Sequence, residues 1–270
     1  AFGTAGLRAP LGPGPRRMNR LVVRQTAAGI ARHLLAREPE ARGRGVVVAH
    51  DARTLSDLFA DDCAEVLSAH GIPVHRLPGP SPTPLAVFAT DRLAAVAGIV
   101  ITASHNPPGD NGIKLYGSDA AQIIPPVDGQ VAAAIDEVVA DGAILPADGA
   151  PASVSTTDPG LEDGYLAACS ARVPHASAPL RIATTAMHGV GGALLADLLE
   201  RCGHGDVHVV AAQQEPDGTF PTVEFPNPEE PGVTDMLAAE LNEVGAGLGL
   251  ALDPDADRLA VLVSVRGETR

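Results

Sequence analysis

Apolar and polar positions alternate along the chain in two distinct patterns. Apolar residues recur at helical spacing from Asn19 to Glu38, and a β-branched run, Val46 to Val48, follows the two glycines at 43 and 45. Apolar residues three or four positions apart predict an amphipathic helix, whereas a short continuous β-branched run favours a buried strand. We therefore expect a helix, a turn and a buried strand over this part of the chain.

The same alternation continues through the rest of the sequence. The predicted helices are 56–69, 84–91, 161–172, 193–201 and 234–243, and the predicted strands are 72–75, 96–101, 180–184, 207–211 and 247–252. Strands that alternate with helices are typical of mostly parallel sheets covered by helices. The fold class is therefore α/β, with functional loops expected at the carboxyl ends of the strands.

A change of composition between residues 141 and 159 divides the sequence into two domains. This stretch is rich in Asp, Gly, Pro, Ser and Thr and has no periodic apolar pattern. We predict two consecutive open, mostly parallel-sheet α/β domains, over 1–150 and 151–258, and the start of a third over 259–270. The apolar run 259–265 has no predicted strand partner, so the sequence looks like a fragment. An unpaired strand edge favours self-association or instability.

Charge and composition exclude several classes of protein. The chain has 270 residues with 19 basic and 33 acidic side chains, a net charge of −14, which argues against nucleic-acid binding. Its longest apolar stretch, 93–103, is shorter than the roughly 20 residues of a membrane-spanning helix, so no membrane partner is expected. Cys63, Cys169 and Cys202 are far apart, which favours a reduced, cytoplasmic protein.

A group of reactive side chains follows the predicted strand 96–101. The sequence there is Thr102-Ala103-Ser104-His105-Asn106-Pro107. A serine at a strand end beside an imidazole is well placed to act as a nucleophile or a phosphate carrier. An ordinary Ser/Asn turn is the alternative, because these residue types are common in turns.

Lys114 favours the chemical interpretation. The 19 basic residues are 18 Arg and this one Lys. Lysine can lose its proton when its surroundings lower its pKa, whereas arginine effectively cannot. A single lysine ten residues after Ser104 therefore indicates proton transfer or contact with a phosphate.

The strand 247–252 is followed by Asp253-Pro254-Asp255-Ala256-Asp257-Arg258. Three carboxylates at alternate positions repel one another unless a hard cation lies among them, and oxygen ligands of this kind suit Mg²⁺. An EF-hand loop is excluded, since it needs Gly where the chain has Arg258 and Glu where it has Ser264. A solvated acidic turn is the remaining structural alternative.

Two glycine-rich segments are weaker candidates. The segment from Gly3 to Arg8 could bring backbone amides close to an anion, with Arg8 adding positive charge. The segment His188-Gly189-Val190-Gly191-Gly192 lies between a strand and a helix but lacks the full dinucleotide-binding spacing. We interpret it as a turn with helix-packing glycines.

Together these segments resemble the α-D-phosphohexomutase superfamily, which contains the phosphoglucomutases and phosphomannomutases. Residues 102–107 resemble its phosphoserine loop, 253–258 its magnesium loop and 3–8 its substrate-side motif, in the family's order. Two further segments, 12–19 and 220–231, are similar to the branch that contains phosphoglucomutase-2-like and phosphopentomutase enzymes. The resemblance covers nearly the whole chain.

The resemblance implies a mechanism and a set of roles. Phosphorylated Ser104 would give its phosphoryl group to a sugar monophosphate, which forms a bisphosphate intermediate. This intermediate would return its other phosphate to the enzyme. The net reaction would move the phosphate of a hexose phosphate between the 1- and 6-positions. The metal residues would be Ser104, Asp253, Asp255 and Asp257, binding Mg²⁺. Arg8 and Arg258 would supply positive charge, and His105 and Lys114 would handle the hydroxyl proton. Glucose 1,6-bisphosphate, or a related bisphosphate, would be the activator.

Other functions remain open from the sequence. One is a phosphopentomutase of the same superfamily. A second is a haloacid-dehalogenase-like phosphatase with Asp253 as nucleophile and Asp255 as acid, and a third is a non-catalytic module that binds Mg²⁺ and a phosphosugar. Members of the resembled family have four domains, so we expect this chain alone to be inactive or nearly so. Asp110 stands where a large residue is common, and the sequence offers no physical account of it.

Overall fold

The computed structural model describes residues 3, 6–148, 151–173, 178, 180–265, 268 and 269. The chain divides into two compact units. The first contains Ala1–Ala103 and Gly109–Asp158, and the second contains Ser104–Pro108 and Pro159–Arg270. Among the described residues, no helix combines the length and the apolar character needed to cross a membrane.

The first unit contains six strands and five helices among its described residues. The strands are β1 (Leu7–Pro10), β2 (Val46–His50), β3 (Val74–Pro80), β4 (Ala97–Ile101), β5 (Asp110–Tyr116) and β6 (Val154–Thr156). The helices are α1 (Arg20–Arg37), α2 (Ala41–Arg44), α3 (Ser56–Ala69), α4 (Thr83–Arg92) and α5 (Val127–Asp141).

The first sheet has a parallel centre and antiparallel strands at one side. Its order is β1-β5-β4-β2-β3-β6, in which β4, β2, β3 and β6 are parallel and β5 is antiparallel to both β1 and β4. Every residue of β2 and β4 is buried. A strand covered on both faces needs apolar side chains at successive positions, which explains the β-branched run 46–48.

Local signals in the sequence explain where the first long helix begins. Asn19 caps α1, because its side-chain oxygen accepts a hydrogen bond from the backbone N–H of Val22 at 3.1 Å. Its side-chain nitrogen donates to the carbonyl of Gly12 at 2.9 Å, which ties the preceding turn to the same cap. The buried face of α1 then packs against α3 and α5.

The second unit contains a smaller sheet. Its strands are β7 (Ile182–Thr185), β8 (Val207–Val209), β9 (Leu248–Leu252), β10 (Leu259–Val265) and β11 (Glu268–Thr269), and its helices are α6 (Gly160–Ser170), α7 (Gly192–Arg201) and α8 (Asp235–Glu243). The strand order is β11-β10-β9-β7-β8, with β9, β7 and β8 parallel and β10 antiparallel to β9.

The α/β class and the mostly parallel sheets are confirmed, but three segments differ from the expectation. Residues 154–156 pair with β3 and extend the first sheet beyond the boundary at 150. Residues 259–263 pair with β9, so β10 lies in the second sheet rather than in the start of a further domain. Residues 104–108 belong with the second unit, although both neighbouring strands lie in the first.

Candidate active site

The turn between β9 and β10 gathers three carboxylates, which we call the carboxylate loop (residues 253–258). Asp253 and Asp255 are fully buried and Asp257 is exposed, and one oxygen from each lies within 4.8 Å of the others. Asp253 Oδ1 accepts backbone hydrogen bonds from Asp257 at 3.1 Å and Arg258 at 3.0 Å. One oxygen of Asp253 therefore closes the turn.

The second oxygen of Asp253 is hydrogen-bonded to Ser104, the predicted nucleophile. Ser104 Oγ donates a hydrogen bond to Asp253 Oδ2 at 3.0 Å, and the serine is only 1% exposed. Its φ of 54° lies in the left-handed region, which is uncommon for a residue with a side chain. Such backbone strain is found mainly where the surrounding structure holds a functional residue in place.

His105 completes the serine loop, by which we mean residues 104–108. Its Nδ1 lies 3.4 Å from Ser104 Oγ, and its ring meets the ring of Phe225 edge-on with centroids 5.9 Å apart. An edge-to-face arrangement is a favourable geometry for two aromatic rings. The imidazole therefore lies beside the serine and also against an aromatic side chain.

The electrostatics of the carboxylate loop are strongly unfavourable to three negative charges. Burial, followed by the charges of Asp255 and Asp257, raises the pKa of Asp253 to about 8, against the opposing effects of its hydrogen bonds from Arg258 and Ser104. A buried carboxyl avoids this cost by keeping its proton or by binding a cation. The donor set is made only of carboxylate oxygens, which fits Mg²⁺ and similar hard cations.

Arg258 lies partly buried on the carboxylate loop, whereas the other predicted basic residues belong to the first unit. Lys114 is in β5, opposite Val100 of β4, and is 1% exposed. Arg8 is in β1, opposite Gly112 of β5. Within the predicted motif 3–8, Thr4 and Ala5 lie outside the described residues, and Gly3 and Gly6 form an antiparallel bridge.

The sequence reasoning missed a buried polar network in the first unit, formed by Asp51, Arg53, Ser56 and Asn111. Ser56 Oγ donates to Asp51 Oδ1 at 2.6 Å, and Arg53 Nε lies 3.3 Å from Asp51 Oδ2. Asn111 Nδ2 donates to Ser56 Oγ at 2.9 Å. An Asp and an Arg directly after a strand predicted to be buried were the available signal.

This polar network also gives Asp110 a structural context. Arg53 Nη1 donates to the main-chain carbonyl of Asp110 at 3.2 Å, and Asp110 is the first residue of β5, opposite Pro10. The backbone of residue 110 is thus held from two sides. The hydrogen bond to the carbonyl of Asp110 and the pairing with Pro10 explain the position of the backbone. These contacts do not explain why the side chain is acidic.

Family models match both units of the chain. The model described as "Phosphoglucomutase/phosphomannomutase, alpha/beta/alpha domain I" matches residues 1–140, and the corresponding model of domain II matches residues 163–266. The second match includes β10, in agreement with its pairing in the second sheet.

Individual relatives cover nearly all of this chain. This chain is 41% identical to the "Probable phosphomannomutase" of Haemophilus influenzae, in an alignment that covers 91% of this chain and 50% of that protein. It is 38% identical to the phosphopentomutase of Homo sapiens, in an alignment that covers 96% of this chain and 45% of that protein. A crystal structure of a phosphoglucomutase/phosphomannomutase family protein from Burkholderia thailandensis matches with a TM-score of 0.78 at 26% identity, covering 97% of this chain and 55% of that one.

The chain thus spans about half the length of the curated relatives it matches. The first family model alone covers more than half of its residues, and the relatives above agree with that assignment. The chain belongs to the phosphoglucomutase/phosphomannomutase family of the α-D-phosphohexomutase superfamily.

Proposed function

We propose that this chain carries the phosphoryl-carrying serine and the cation-binding loop of a sugar-phosphate mutase. The observation that supports this most strongly is the hydrogen bond from buried Ser104 to Asp253, which joins the serine loop to the carboxylate loop. The two segments are 149 positions apart in the sequence. A serine held against a cluster of carboxylates is suited to carry a phosphoryl group only if positive charge is supplied there as well.

In the proposed reaction, the phosphoryl group moves from phosphorylated Ser104 to a hydroxyl of the sugar phosphate. The P–O bond to Ser104 breaks, the P–O bond to the sugar oxygen forms, and the sugar hydroxyl loses its proton. Transfer in the opposite sense then returns the other phosphate to the serine. Phosphoryl transfer of this kind depends mainly on positioning and electrostatic stabilisation.

His105 is proposed to exchange a proton at the oxygen of Ser104. Its Nδ1 is 3.4 Å from Ser104 Oγ, slightly longer than a strong hydrogen bond. Such contacts often shorten when substrate is bound. Lys114, as the chain's single lysine, is proposed to share the handling of the sugar hydroxyl proton.

Asp253, Asp255 and Asp257 are proposed to hold Mg²⁺, together with Ser104. Mg²⁺ held there would supply neutralisation of charge on the transferring phosphoryl group. Arg8 and Arg258 would provide fixed positive charge for phosphate oxygens, through the fork of donors of the guanidinium group. Each would add local positive charge to a protein whose net charge is −14.

The proposed substrate is a hexose phosphate whose phosphate moves between the 1- and 6-positions. A pentose phosphate is the second candidate, because a relative named phosphopentomutase is 38% identical over 96% of the chain. The phosphatase alternative leaves Ser104 without a role, although Ser104 Oγ donates a hydrogen bond to Asp253 Oδ2 at 3.0 Å.

Replacement of the serine tests this proposal. In Ser104→Ala, incubation with glucose 1,6-bisphosphate and Mg²⁺ should leave no covalent phosphate on the protein, while circular dichroism shows that the chain is still folded. Ser118→Ala is the matched control, since Ser118 is exposed in the first unit. Normal phosphoenzyme formation or turnover in Ser104→Ala would remove Ser104 from the mechanism.

A further inference from the structure

The sequence segment His188-Gly189-Val190-Gly191-Gly192 lies directly against the carboxylate loop. The backbone N–H of Val190 donates to the carbonyl of Pro254 at 2.9 Å. A Cβ added to Gly189 would lie 2.5 Å from Pro254 Cα and 2.6 Å from Pro254 O. A Cβ added to Gly191 would lie 2.5 Å from Ala256 Cβ. The glycines therefore allow two backbones to approach more closely than side chains would permit.

The same turn is fixed from its other side by a buried hydrogen-bond chain. Thr185 Oγ1 donates to Gln213 Oε1 at 2.6 Å, and Gln213 Nε2 donates to Thr222 Oγ1 at 2.9 Å. His188 Nε2 is hydrogen-bonded to Thr222 Oγ1 at 2.9 Å, and Thr185, His188 and Gln213 are at most 4% exposed. A buried network with its partners satisfied favours one well-defined arrangement.

Thr222 links this network to the segment that contacts the serine loop. It lies in the segment 217–231, which also contains Phe225, and the Phe225 ring packs edge-on against His105. The backbone N–H of Asp217 donates to the carbonyl of His188 at 2.9 Å, a second link between this segment and the glycine turn. Neither the glycine turn nor the segment 217–231 supplies a residue to the proposed chemistry.

We propose that the turn 187–192 is a positioning element that holds the carboxylate loop in its cation-binding form and, through Thr222 and Phe225, sets the orientation of the His105 ring. His188, Gly189, Thr222 and Phe225 are thus positioning residues, since they act through Pro254 or His105. This inference rests on the proposed function only where it concerns the cation. The orientation of His105 is a separate property of the chain.

The first test measures cation affinity, with Mn²⁺ as a paramagnetic probe of the carboxylate loop. Gly189→Ala should weaken Mn²⁺ binding at least about 10-fold, because supports of metal ligands typically contribute 10- to 100-fold in affinity. Gly247→Ala is the matched control, since it precedes β9 and its added Cβ would meet nothing within 4 Å. Wild-type affinity in folded Gly189→Ala would overturn the inference. Absence of Mn²⁺ binding by the wild-type chain would instead contradict the proposed function.

The second test needs no cation and does not depend on the folding of Gly189→Ala. The ring protons of His105, assigned by their loss in His105→Asn, carry an NMR ring-current shift from Phe225, and Phe225→Leu gives the value without it. Thr222→Val removes the hydroxyl at nearly constant shape and should move the His105 signals towards the Phe225→Leu value. Thr222→Ser keeps the hydroxyl and should restore the wild-type position. Wild-type signals in Thr222→Val would overturn the link between the turn and His105.

Discussion

Two buried aspartates, one in each unit, directly follow a parallel strand but have opposite surroundings. Asp51 follows the parallel strand β2, Asp253 follows the parallel strand β9, and each is at most 1% exposed. Arg53 and Ser56 contact the carboxylate of Asp51. The carboxylate of Asp253 instead has two further carboxylates near it.

Burial raises the pKa of both side chains, and the difference lies in the second cause. For Asp51, the charge of Arg53 and the hydrogen bond from Ser56 oppose the effect of burial. For Asp253, the neighbouring carboxylates add to it. The comparison teaches that a buried acid at a strand end is structural when its charge is compensated within the fold, and is a candidate cation ligand when it is not.

The largest expected effect is on stability in the first unit. Asp51→Asn removes the buried counter-charge of Arg53, and breaking a buried ion pair typically costs about 3–5 kcal/mol. We therefore expect the urea midpoint of the cation-free chain to fall sharply. A midpoint near that of the wild type would show that Asp51 is already neutral or that the pair adds little, and would break the comparison.

The second prediction concerns the dependence of folding stability on pH that arises from Asp253. Because its pKa is raised from 3.8 to about 8, the folded chain holds a proton that the unfolded chain has released between these values. The stabilising contribution of this proton is fully present below about pH 4 and is lost progressively as the pH rises to about 8.

The matched control for this pH effect is Asp253→Asn, whose side chain does not titrate. This variant should not lose stability between about pH 4 and pH 8 through residue 253. Without cations it should be more stable than the wild type at pH 8 to 9. Saturating Mg²⁺ should flatten the wild-type profile in the same interval, since the cation replaces the proton. Urea unfolding with chelator or with Mg²⁺ measures both. Identical pH profiles for the wild type and Asp253→Asn would contradict the raised pKa.

A smaller effect is expected from the hydroxyl that compensates Asp51. Ser56→Ala removes the hydrogen bonds to Asp51 and from Asn111, and leaving buried polar groups unsatisfied costs about 1–3 kcal/mol. Ser118→Ala serves again as the exposed control. If Ser56→Ala is as stable as Ser118→Ala, the network around Asp51 does not stabilise the fold.

The smallest expected effect concerns association through the second sheet. Leu259, Val261 and Val263 of β10 are 55%, 52% and 40% exposed, and in the part of the chain that the structure describes, β11 pairs only with the end of β10. Exposed apolar residues on such a strand favour self-association. Sedimentation across a dilution series should show oligomers that Val261→Lys weakens, whereas a stable wild-type monomer throughout would count against this.

The sequence predicted those parts of the fold that depend on local patterns. The β-branched run of β2 and the periodic apolar positions of α1 can each be recognised from a few neighbouring residues in the sequence. In contrast, β6 lies in a stretch of loop-like composition and is a strand only because it pairs with β3. The strand character of β5 is likewise decided by its pairing with β4 and with β1, the second of which is distant in sequence.

The candidate site divides in the same way. Ser104 and the three aspartates could be found from the sequence, because each group follows a recognisable strand and has unusual local chemistry. The contacts of Asp51 with Arg53 and Ser56, and of Gly189 with Pro254, could not, since their roles come from packing that local patterns do not show. The residues that support the site are therefore less visible than those proposed to perform the reaction.

The most direct measurement of the central claim is the location of phosphate on the chain after incubation with glucose 1,6-bisphosphate and Mg²⁺. Intact-mass analysis followed by peptide mapping identifies the modified residue. Our account predicts one phosphate on Ser104 that disappears when Mg²⁺ is chelated before the incubation. Phosphate on Asp253, or on any other residue while Ser104 stays unmodified, would contradict it.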